Sequence, residues 1–198
     1  MSSNSVFHSL HHVQETLSPF RPRKRWYRRW VKRSAVAMLV REGKLGPEVL
    51  MIKRAEREGD RWSGHMAFPG GRMETDDQHS KATAERETRE EIGIDPSRVG
   101  HCIGRLSDIT TQPHSGLRPM VITPFVYALK RFPEPRPNYE VDEVIWVPLN
   151  FLADHGNRER MFWERGRLKI ELPCYYYEKR QIWGLSLAML DELVGLFQ

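Results

Sequence analysis

The sequence predicts a single α/β domain, and three features of the chain support this prediction. Short apolar runs of strand length recur between residues 34 and 177, separated by turns rich in glycine, proline and charge. An acid-rich segment at residues 79–92 has the length of a helix, and residues 183–197 carry apolar side chains at helical spacing. With 198 residues, of which 39% are hydrophobic, the chain can build one sizeable core plus an extension.

The individual elements follow in chain order from the same patterns. Residues 1–20 form a leader whose apolar residues have helical spacing as far as Pro19, which would end a helix. The predicted strands cover residues 34–40, 49–54, 65–68, 102–107, 120–129, 144–147, 161–164, 168–172 and 175–177. The predicted helices cover residues 79–92, 150–155 and 183–197. The first two strands are expected to pair as a hairpin, whereas the proline-rich segment 132–137 cannot be an interior strand.

Residues 21–33, RPRKRWYRRWVKR, form a basic arm that contains eight Lys or Arg and no acid, although the whole chain has a formal net charge of only +5. The arm could contact nucleic acid or an anionic membrane through phosphate neutralisation and aromatic stacking. Alternatively, it packs its tryptophans on the domain and leaves its charges in water, which is the interpretation we favour. In a third interpretation it attracts an acidic, phosphorylated substrate. The predicted organisation is therefore a leader with the basic arm, residues 1–33, and a domain, residues 34–198.

The cysteine and apolar content predict the compartment. The chain contains only Cys102 and Cys174, which argues against a disulfide framework. Its longest uninterrupted apolar run, residues 35–40, is too short to span a bilayer, and no cleavable apolar signal opens the sequence. These features predict a cytoplasmic protein that is not an integral membrane protein.

Three carboxylates in the predicted helix 79–92 are the first sign of chemistry. Glu87, Glu90 and Glu91 fall within one arc, because spacings of three and four residues place side chains on the same helix face. Arg86 lies one turn before Glu90, in position to pair with it. Crowded carboxylates repel one another unless a cation neutralises them, and Mg²⁺ takes carboxylates, waters and substrate phosphates as ligands. The spacing predicts a site for Mg²⁺ or Mn²⁺ that serves phosphate chemistry.

A solvated helix face held by weak ion pairs is the competing interpretation of the same residues. The upstream glycine pair favours the metal site. Gly70 and Gly71 follow Pro69 in a turn where the backbone can approach a ligand closely and offer it a carbonyl or an amide. Gly93 then follows the helix, as a C-terminal capping glycine would.

The stretch from Gly71 to Ile94 resembles the Nudix box, G-x5-E-x7-R-E-U-x-E-E-x-G-U, in which U is apolar. Asp77 stands at the first glutamate, eight residues instead of seven precede Arg86, and Thr88 occupies an apolar position. The longer spacing is similar to that of the coenzyme A diphosphatase branch of the family. The segments LMIKR, ending at Arg54, and SGHMAFPGG also resemble that branch's signature L-L-T-x-R … G-x-V-x-F-P-G-G, with isoleucine at the threonine and one extra residue between the halves. The resemblance covers about residues 33–190.

This resemblance implies a Nudix-like α/β/α sandwich with a mixed central sheet, and it implies roles for individual residues. Glu87, Glu90 and Glu91 would bind Mg²⁺ or Mn²⁺ together with a backbone carbonyl near Gly70 and Gly71, and Arg86 would hold Glu90 or Glu87 in position. Family members often take a general base from a loop outside the box. Glu140 and Glu143 lie in that region and are the candidates for the base. Arg54, at the end of the second strand, is a candidate phosphate contact. Glu140 and Glu143 could equally be acids that flank an edge strand.

The implied activity is hydrolysis of a nucleoside diphosphate linked to a further group, and the branch resemblance points to coenzyme A or acyl-CoA. The products would be 3′,5′-ADP and phosphopantetheine or its acyl derivative. Other pyrophosphates such as ADP-ribose, NADH or dinucleoside polyphosphates are the alternative within enzymes. An RNA- or nucleotide-binding protein that uses the basic arm is the alternative from another class. The resemblance also implies that the chain can pair as a homodimer.

Overall fold

The computed structural model describes residues 6–59, 62–111, 119–165 and 168–198. The described strands are β1 (Lys32–Gly43), β2 (Gly46–Arg54), β3 (Met66–Ala67), β4 (Gly70–Arg72), β5 (Gly100–Arg105), β6 (Ile109–Thr110), β7 (Met120–Leu129), β8 (Val141–Pro148), β9 (Arg158–Arg165), β10 (Leu168–Tyr177) and β11 (Arg180–Trp183). The α-helices within these ranges are α1 (Leu10–Leu17), α2 (Ser80–Ile92), α3 (Pro96–Val99), α4 (Leu149–Ala153) and α5 (Gly184–Gly195).

Strands β1 to β8 form one mixed sheet, as predicted. The central strand β1 runs parallel to β7 and antiparallel to β2 and β4, while β8 pairs with the other side of β2. Strands β5 and β6 both pair antiparallel with β7. A second, antiparallel sheet in the order β11-β10-β9 follows the main sheet in the chain.

The two faces of the main sheet are covered by different helices, because successive side chains of a strand point to opposite faces. Met38 and Val40 of β1 belong to an apolar cluster that includes buried residues of α1, α4 and α5. Ala37 and Leu39 of the same strand belong to a second cluster with Ala84 of α2. The arrangement confirms the predicted sandwich, with α2 and Val99 of α3 on the side of the acidic residues.

Most strand boundaries differ from the prediction by a few residues, and β4, β6 and β11 were not predicted. Two of the differences are at β8 and β10. The strand predicted at residues 144–147 is longer in the structure, where β8 covers Val141–Pro148. In addition, Pro173 was expected to separate two edge strands, but β10 continues through it. Pro173 pairs with Arg160 of β9 on one side of β10. On the other side, β11 pairs only with residues 174–177, so the missing N–H of Pro173 leaves no β11 residue without its hydrogen bond. The segment 132–137 is not a strand, as expected.

The leader is packed into the domain. Helix α1 ends at Leu17, before Pro19, and Phe7, Val13 and Leu17 are buried in the apolar cluster that contains α5. The side-chain amide of Asn150 fixes the backbone of Phe7 twice, because it accepts a hydrogen bond from the Phe7 N–H and donates one to the Phe7 carbonyl, both at 2.9 Å. The predicted boundary at residue 33 therefore does not coincide with a break in the packing; residues 1–5 lie outside the described ranges.

We expect Phe7→Ala to lower the free energy of unfolding by about 3–5 kcal/mol, the usual cost of emptying a buried aromatic site. The side chain has no solvent exposure and packs against Phe197, with ring centroids 4.2 Å apart. Urea denaturation of the two proteins measures the difference. His11→Ala is the matched control, since this side chain of α1 is exposed and its removal should change stability little.

None of the helices in the described part of the chain is both long enough and apolar enough to cross a membrane.

Candidate active site

Helix α2 is delimited by two identifiable caps. The Nδ1 atom of His79 accepts a hydrogen bond from the N–H of Ala82 at 3.0 Å, which satisfies a donor of the first turn. Gly93 adopts the left-handed conformation at φ 70° and its N–H donates to the carbonyl of Arg89. Thr88, which departs from the apolar pattern of the family box, is buried without penalty because its hydroxyl donates to the Ala84 carbonyl at 2.6 Å.

Glu91 is a buried carboxylate at the C-terminal end of α2. Its Oε2 atom accepts a hydrogen bond from the N–H of Gly70 at 2.8 Å. Burial raises the pKa of Glu91 to about 8; the negative charges of Glu87 and Glu140 also raise it, whereas the Gly70 N–H and the charge of Arg54 lower it. The charged form is therefore disfavoured until a cation compensates it.

The two glycines before α2 allow the backbone to approach its neighbours closely. A Cβ atom on Gly70, which has φ 153°, would lie 2.3 Å from the Ala35 carbonyl oxygen. A Cβ atom on Gly71 would lie 2.3 Å from Oε1 of Glu87. The Gly71 carbonyl accepts a hydrogen bond from the hydroxyl of Ser34 at 2.5 Å. Only glycine fits at position 70, where a side chain would meet the backbone of β1, whereas the atoms close to position 71 belong to the end of the Glu87 side chain.

Arg86 organises the carboxylates around it. Its guanidinium contacts Glu87 at 3.0 Å and Glu90 at 3.0 Å, so that it holds both of the residues that the sequence offered as alternatives. It also donates to the carbonyl of Arg72 at 3.1 Å. Such charge-assisted pairs fix geometry as well as contributing energy.

Asp77 is the partner of Arg86 that sequence reasoning missed. Its two carboxylate oxygens accept hydrogen bonds from Nε and Nη2 of Arg86 at 3.1 and 3.0 Å, and one of them also accepts the Glu74 N–H at 2.9 Å. The hydrogen bonds from Arg86 are the main reason that the pKa of Asp77 is lowered to about 2. The signal was present in the sequence, because Asp77 occupies the position of the first acid in the family box.

We expect Asp77→Asn to lower the free energy of unfolding at pH 7 by about 2 kcal/mol, since a pKa lowered on folding stabilises the native state. This stabilisation is complete above the ordinary aspartate pKa and is lost as the pH falls from about 4 towards 2. Urea denaturation at pH 7 and pH 3 should therefore show a difference between the two proteins that shrinks in acid. Asp76→Asn, at the exposed neighbouring position, is the control, and an equal loss there would contradict the prediction.

The three glutamates differ in their surroundings. Glu87 is half-buried and burial raises its pKa, with further raising by the charges of Glu90 and Glu74. The Glu90 side chain is 51% exposed and pairs with Arg86 on the solvent side. Within the described ranges, no three His, Cys, Asp or Glu side chains already converge as a metal-binding group. The donor chemistry nevertheless fits a hard divalent cation, because Glu87 and Glu91 are desolvated carboxylates whose charges oppose each other.

Two of the remaining predicted residues lie near Glu91. The charge of Arg54, at the end of β2, lowers the pKa of Glu91, and the charge of Glu140 raises it. Oε1 of Glu140 accepts a hydrogen bond from Nη1 of Arg57 at 3.2 Å. The segments that carry Arg54 and Glu140 are also joined through their backbones, since the N–H of the next residue, Ala55, donates a hydrogen bond to the Glu140 carbonyl at 2.8 Å.

Glu143, which the sequence offered as a catalytic base, is placed elsewhere by the structure. Its Oε2 atom contacts both Nε and Nη2 of Arg180 at 2.6 Å, and its Oε1 atom lies 3.6 Å from Nζ of Lys53. The neighbouring residues Ile145 and Val147 face the cluster of α4 and α5, on the side of the sheet opposite α2. Glu143 therefore lines a cleft of about 420 Å³ beside β11.

Comparison with known proteins identifies relatives of this chain. Residues 31–166 match the NUDIX domain. An uncharacterized protein of Schizosaccharomyces pombe is 41% identical over 106 residues, which cover 52% of this chain and 32% of that protein. The mitochondrial coenzyme A diphosphatase NUDT8 of Mus musculus is 32% identical over 149 residues, covering 74% of this chain and 69% of the mouse protein. The chain thus spans about a third of the length of the yeast relative.

A solved structure shares the fold. The MutT/nudix family protein from Enterococcus faecalis superposes with a TM-score of 0.53 at 16% sequence identity, covering 94% of this chain and 67% of that one. The NUDIX match extends over more than half of the 198 residues, and it includes β1 to β8 and all of α2. On this evidence the chain belongs to the NUDIX domain family.

Proposed function

We propose that the protein hydrolyses the pyrophosphate bond of a nucleoside diphosphate derivative with Mg²⁺ or Mn²⁺ as cofactor. The observation that carries this proposal is the pair Glu87 and Glu91, two desolvated carboxylates on adjacent turns of α2 that lie against the glycine turn at Gly70 and Gly71. A cation bound between such carboxylates would stabilise their charged forms, and hard divalent cations that bind substrate phosphates are the chemical match.

Coenzyme A or acyl-CoA is the proposed substrate, with 3′,5′-ADP and phosphopantetheine or acyl-phosphopantetheine as the products. Two features support this choice over other nucleotides. The box has eight residues before Arg86, and the segment SGHMAFPGG precedes it, as in the coenzyme A diphosphatase branch that it resembles. The mouse relative also carries coenzyme A diphosphatase in its name.

We assign the metal ligands to Glu87, Glu90, Glu91 and the carbonyl of Gly71. A bound divalent ion would neutralise the charge on the transferring phosphoryl oxygens and lower the pKa of a bound water. The protein's own groups prepare this site. Arg86 orients Glu87 and Glu90, the Gly70 N–H orients Glu91, and the burial of Glu91 strengthens its interaction with any cation.

Glu140 is the proposed general base, and Arg54 is the proposed phosphate contact. Both residues lie in segments at the same end of α2, because the Asn138 N–H donates to the Glu91 carbonyl and the Ala55 N–H donates to the Glu140 carbonyl, each at 2.8 Å. Glu140 accepts one hydrogen bond of 3.2 Å from Arg57, whereas two cations surround the carboxylate of Glu143. Glu143 is held by Arg180 and Lys53 beside β11, so we assign Glu140 as the acceptor for a proton from an attacking water.

A substrate panel tests the proposal. Purified protein with Mg²⁺ or Mn²⁺ is incubated with coenzyme A, acetyl-CoA, ADP-ribose, NADH and diadenosine polyphosphates, and products are separated by chromatography. We expect 3′,5′-ADP to form fastest from coenzyme A or acetyl-CoA and to be absent when a chelator is present. Faster hydrolysis of another member of the panel would support the proposed pyrophosphohydrolase activity, but that compound would replace coenzyme A as the proposed substrate. No hydrolysis of any member with either metal would contradict the proposal.

The proposed location is the cytoplasm, because both Cys102 and Cys174 are free thiols, which suits a reducing compartment. The name of the mouse relative, in contrast, is that of a mitochondrial protein. Subcellular fractionation with antibodies to the native chain separates the two locations, and recovery in mitochondria would overturn the cytoplasmic proposal.

A further inference from the structure

The basic arm, residues 21–33, is anchored to the domain by several hydrogen bonds, one of them to the buried carboxylate of Asp108. The N–H of Asp108 donates to the Arg23 carbonyl at 2.9 Å, and Oδ2 of Asp108 accepts the Arg25 N–H at 2.9 Å. The guanidinium of Arg28 lies 3.4 Å from the same oxygen. Asp108 is itself held by the hydroxyl of Thr123, which donates to Oδ1 at 2.9 Å. The arm therefore has a defined position on the body of the protein.

The aromatic side chains of the arm divide into two sets. Tyr27 points inward, and its hydroxyl is 2.8 Å from that of Thr110. Trp26 and Trp30 point outward, with 80% and 64% of their surface exposed. The interpretation that the arm packs its tryptophans on the domain is therefore wrong. Leaving two large indoles in water is costly, which suggests that they meet another surface.

Cations surround this tryptophan pair. The exposed basic residues of the arm are Arg21, Arg23, Lys24, Arg25, Arg29 and Lys32. No Asp or Glu occurs in the sequence between Glu15 and Glu42, so that no acid of this segment neutralises them. The patch thus combines exposed indoles with a dense positive charge, and its partner must be anionic and able to accept apolar rings.

The geometry of the rings distinguishes an anionic membrane from a nucleic acid. Single-stranded nucleic acids stack their bases on open aromatic faces along a basic groove. Here Trp26 and Trp30 lie on and directly after a single 3₁₀ turn, Trp26–Arg29, and pack edge to face with centroids 5.7 Å apart and an interplanar angle of 69°. Tyr27 packs against Trp26 in the same way, at 87°. Such a cluster offers no series of parallel faces.

A bilayer surface makes different demands, which this cluster meets. Indole rings insert among lipid headgroups in several orientations, and flanking Lys and Arg bind the headgroup phosphates and anionic lipids. We propose that the basic arm is a peripheral binding surface for membranes that contain anionic phospholipids, with Trp26 and Trp30 as the inserting side chains. Its contacts with the domain are made through the opposite side of the arm, which leaves the indoles available.

Vesicle sedimentation with the full chain tests this proposal. Vesicles of phosphatidylcholine alone are compared with an equal mixture of phosphatidylcholine and phosphatidylserine, at low and at high salt. We expect partitioning onto the mixed vesicles to be at least about tenfold stronger, because each cation near an anionic surface adds to the affinity, and to fall as salt screens the charges. Trp26→Ala/Trp30→Ala and, separately, Lys24→Ser/Arg25→Ser/Arg29→Ser should each lower this partitioning by about tenfold or more.

The control changes an exposed basic and apolar pair elsewhere on the surface. Lys44→Ser/Leu45→Ser removes one cation and a leucine that is 79% exposed, and it should leave vesicle binding unchanged. All variants alter exposed side chains, so their thermal unfolding curves should match that of the wild type. Equal binding to both kinds of vesicle, or no binding to either, would overturn the proposal. Binding of single-stranded RNA without vesicle binding would also overturn it and would identify a nucleic-acid surface instead.

Discussion

Glu91→Gln is expected to lower kcat for the proposed hydrolysis of coenzyme A by about 10³-fold or more. Glu91 is the most buried of the three metal-binding candidates, so its charge acts in a medium of low polarity where interaction with a cation is strongest. Glutamine keeps the size of the side chain and retains an oxygen that can accept the Gly70 N–H. The substitution therefore removes one negative charge with little change of shape, and steady-state kinetics with saturating Mn²⁺ measures the result.

A readout without substrate separates this charge effect from a folding defect. Because burial raises the pKa of Glu91 to about 8, the folded metal-free protein binds more protons than the unfolded chain between about pH 4.5 and pH 8. Its stability should therefore fall as the pH rises through that window, by about 2–5 kcal/mol in total. Glu91→Gln should abolish this decline, and Mg²⁺ or Mn²⁺ should offset it in the wild type only.

The control for both measurements is Glu85→Gln on the same helix. Glu85 accepts a hydrogen bond from the Tyr127 hydroxyl at 3.0 Å and pairs with Lys81, away from the glycine turn. Glutamine can keep the hydrogen bond from Tyr127, so activity and the pH dependence of stability should remain close to those of the wild type. If the two variants lost activity equally, the role assigned to Glu91 would be contradicted.

Local patterns predicted the helix and the glycine turn that carry the candidate site, because these lie on one continuous segment. The spacing of Glu87, Glu90 and Glu91 is a property of any helix, and Gly93 ends α2 as its position after the helix suggested. The glycine pair likewise lies where the chain approaches α2, since Gly70 contacts Glu91 directly. Each of these inferences needs only periodicity and backbone sterics.

Contacts between distant segments could not be predicted in this way. Asp108 anchors an arm that precedes it by about eighty residues, and nothing in its own neighbourhood indicates that partner. The face of the sheet to which each β8 side chain points was also unpredictable, because the pairing register of β8 with β2 shifts between Lys53 and Arg54. Lys53 pairs with Glu143 and Arg54 pairs with Val141, so that one residue of β8 is skipped. Val141 consequently faces α2, whereas Ile145, which strict alternation would place with it, faces the opposite side.

Because of this register shift between β2 and β8, substitutions of Glu140 and Glu143 should differ strongly in their effect on kcat. Glu140→Gln is expected to lower kcat by about 10²–10⁴-fold, the range for loss of a general base, whereas Glu143→Gln should leave kcat close to the wild-type value. The two residues are three positions apart in the same acidic segment, so each is the matched control of the other. Loss of the half-exposed ion pair between Glu143 and Arg180 should have little effect on stability.

The opposite result, a large loss in Glu143→Gln with Glu140→Gln fully active, would mean that the carboxylate leaves Arg180 and crosses to the other face of the sheet during catalysis. Since β8 is paired to β2 along its length, such a movement would require the strand to unpair, and the bulge opposite Lys53 and Arg54 is where that unpairing would begin.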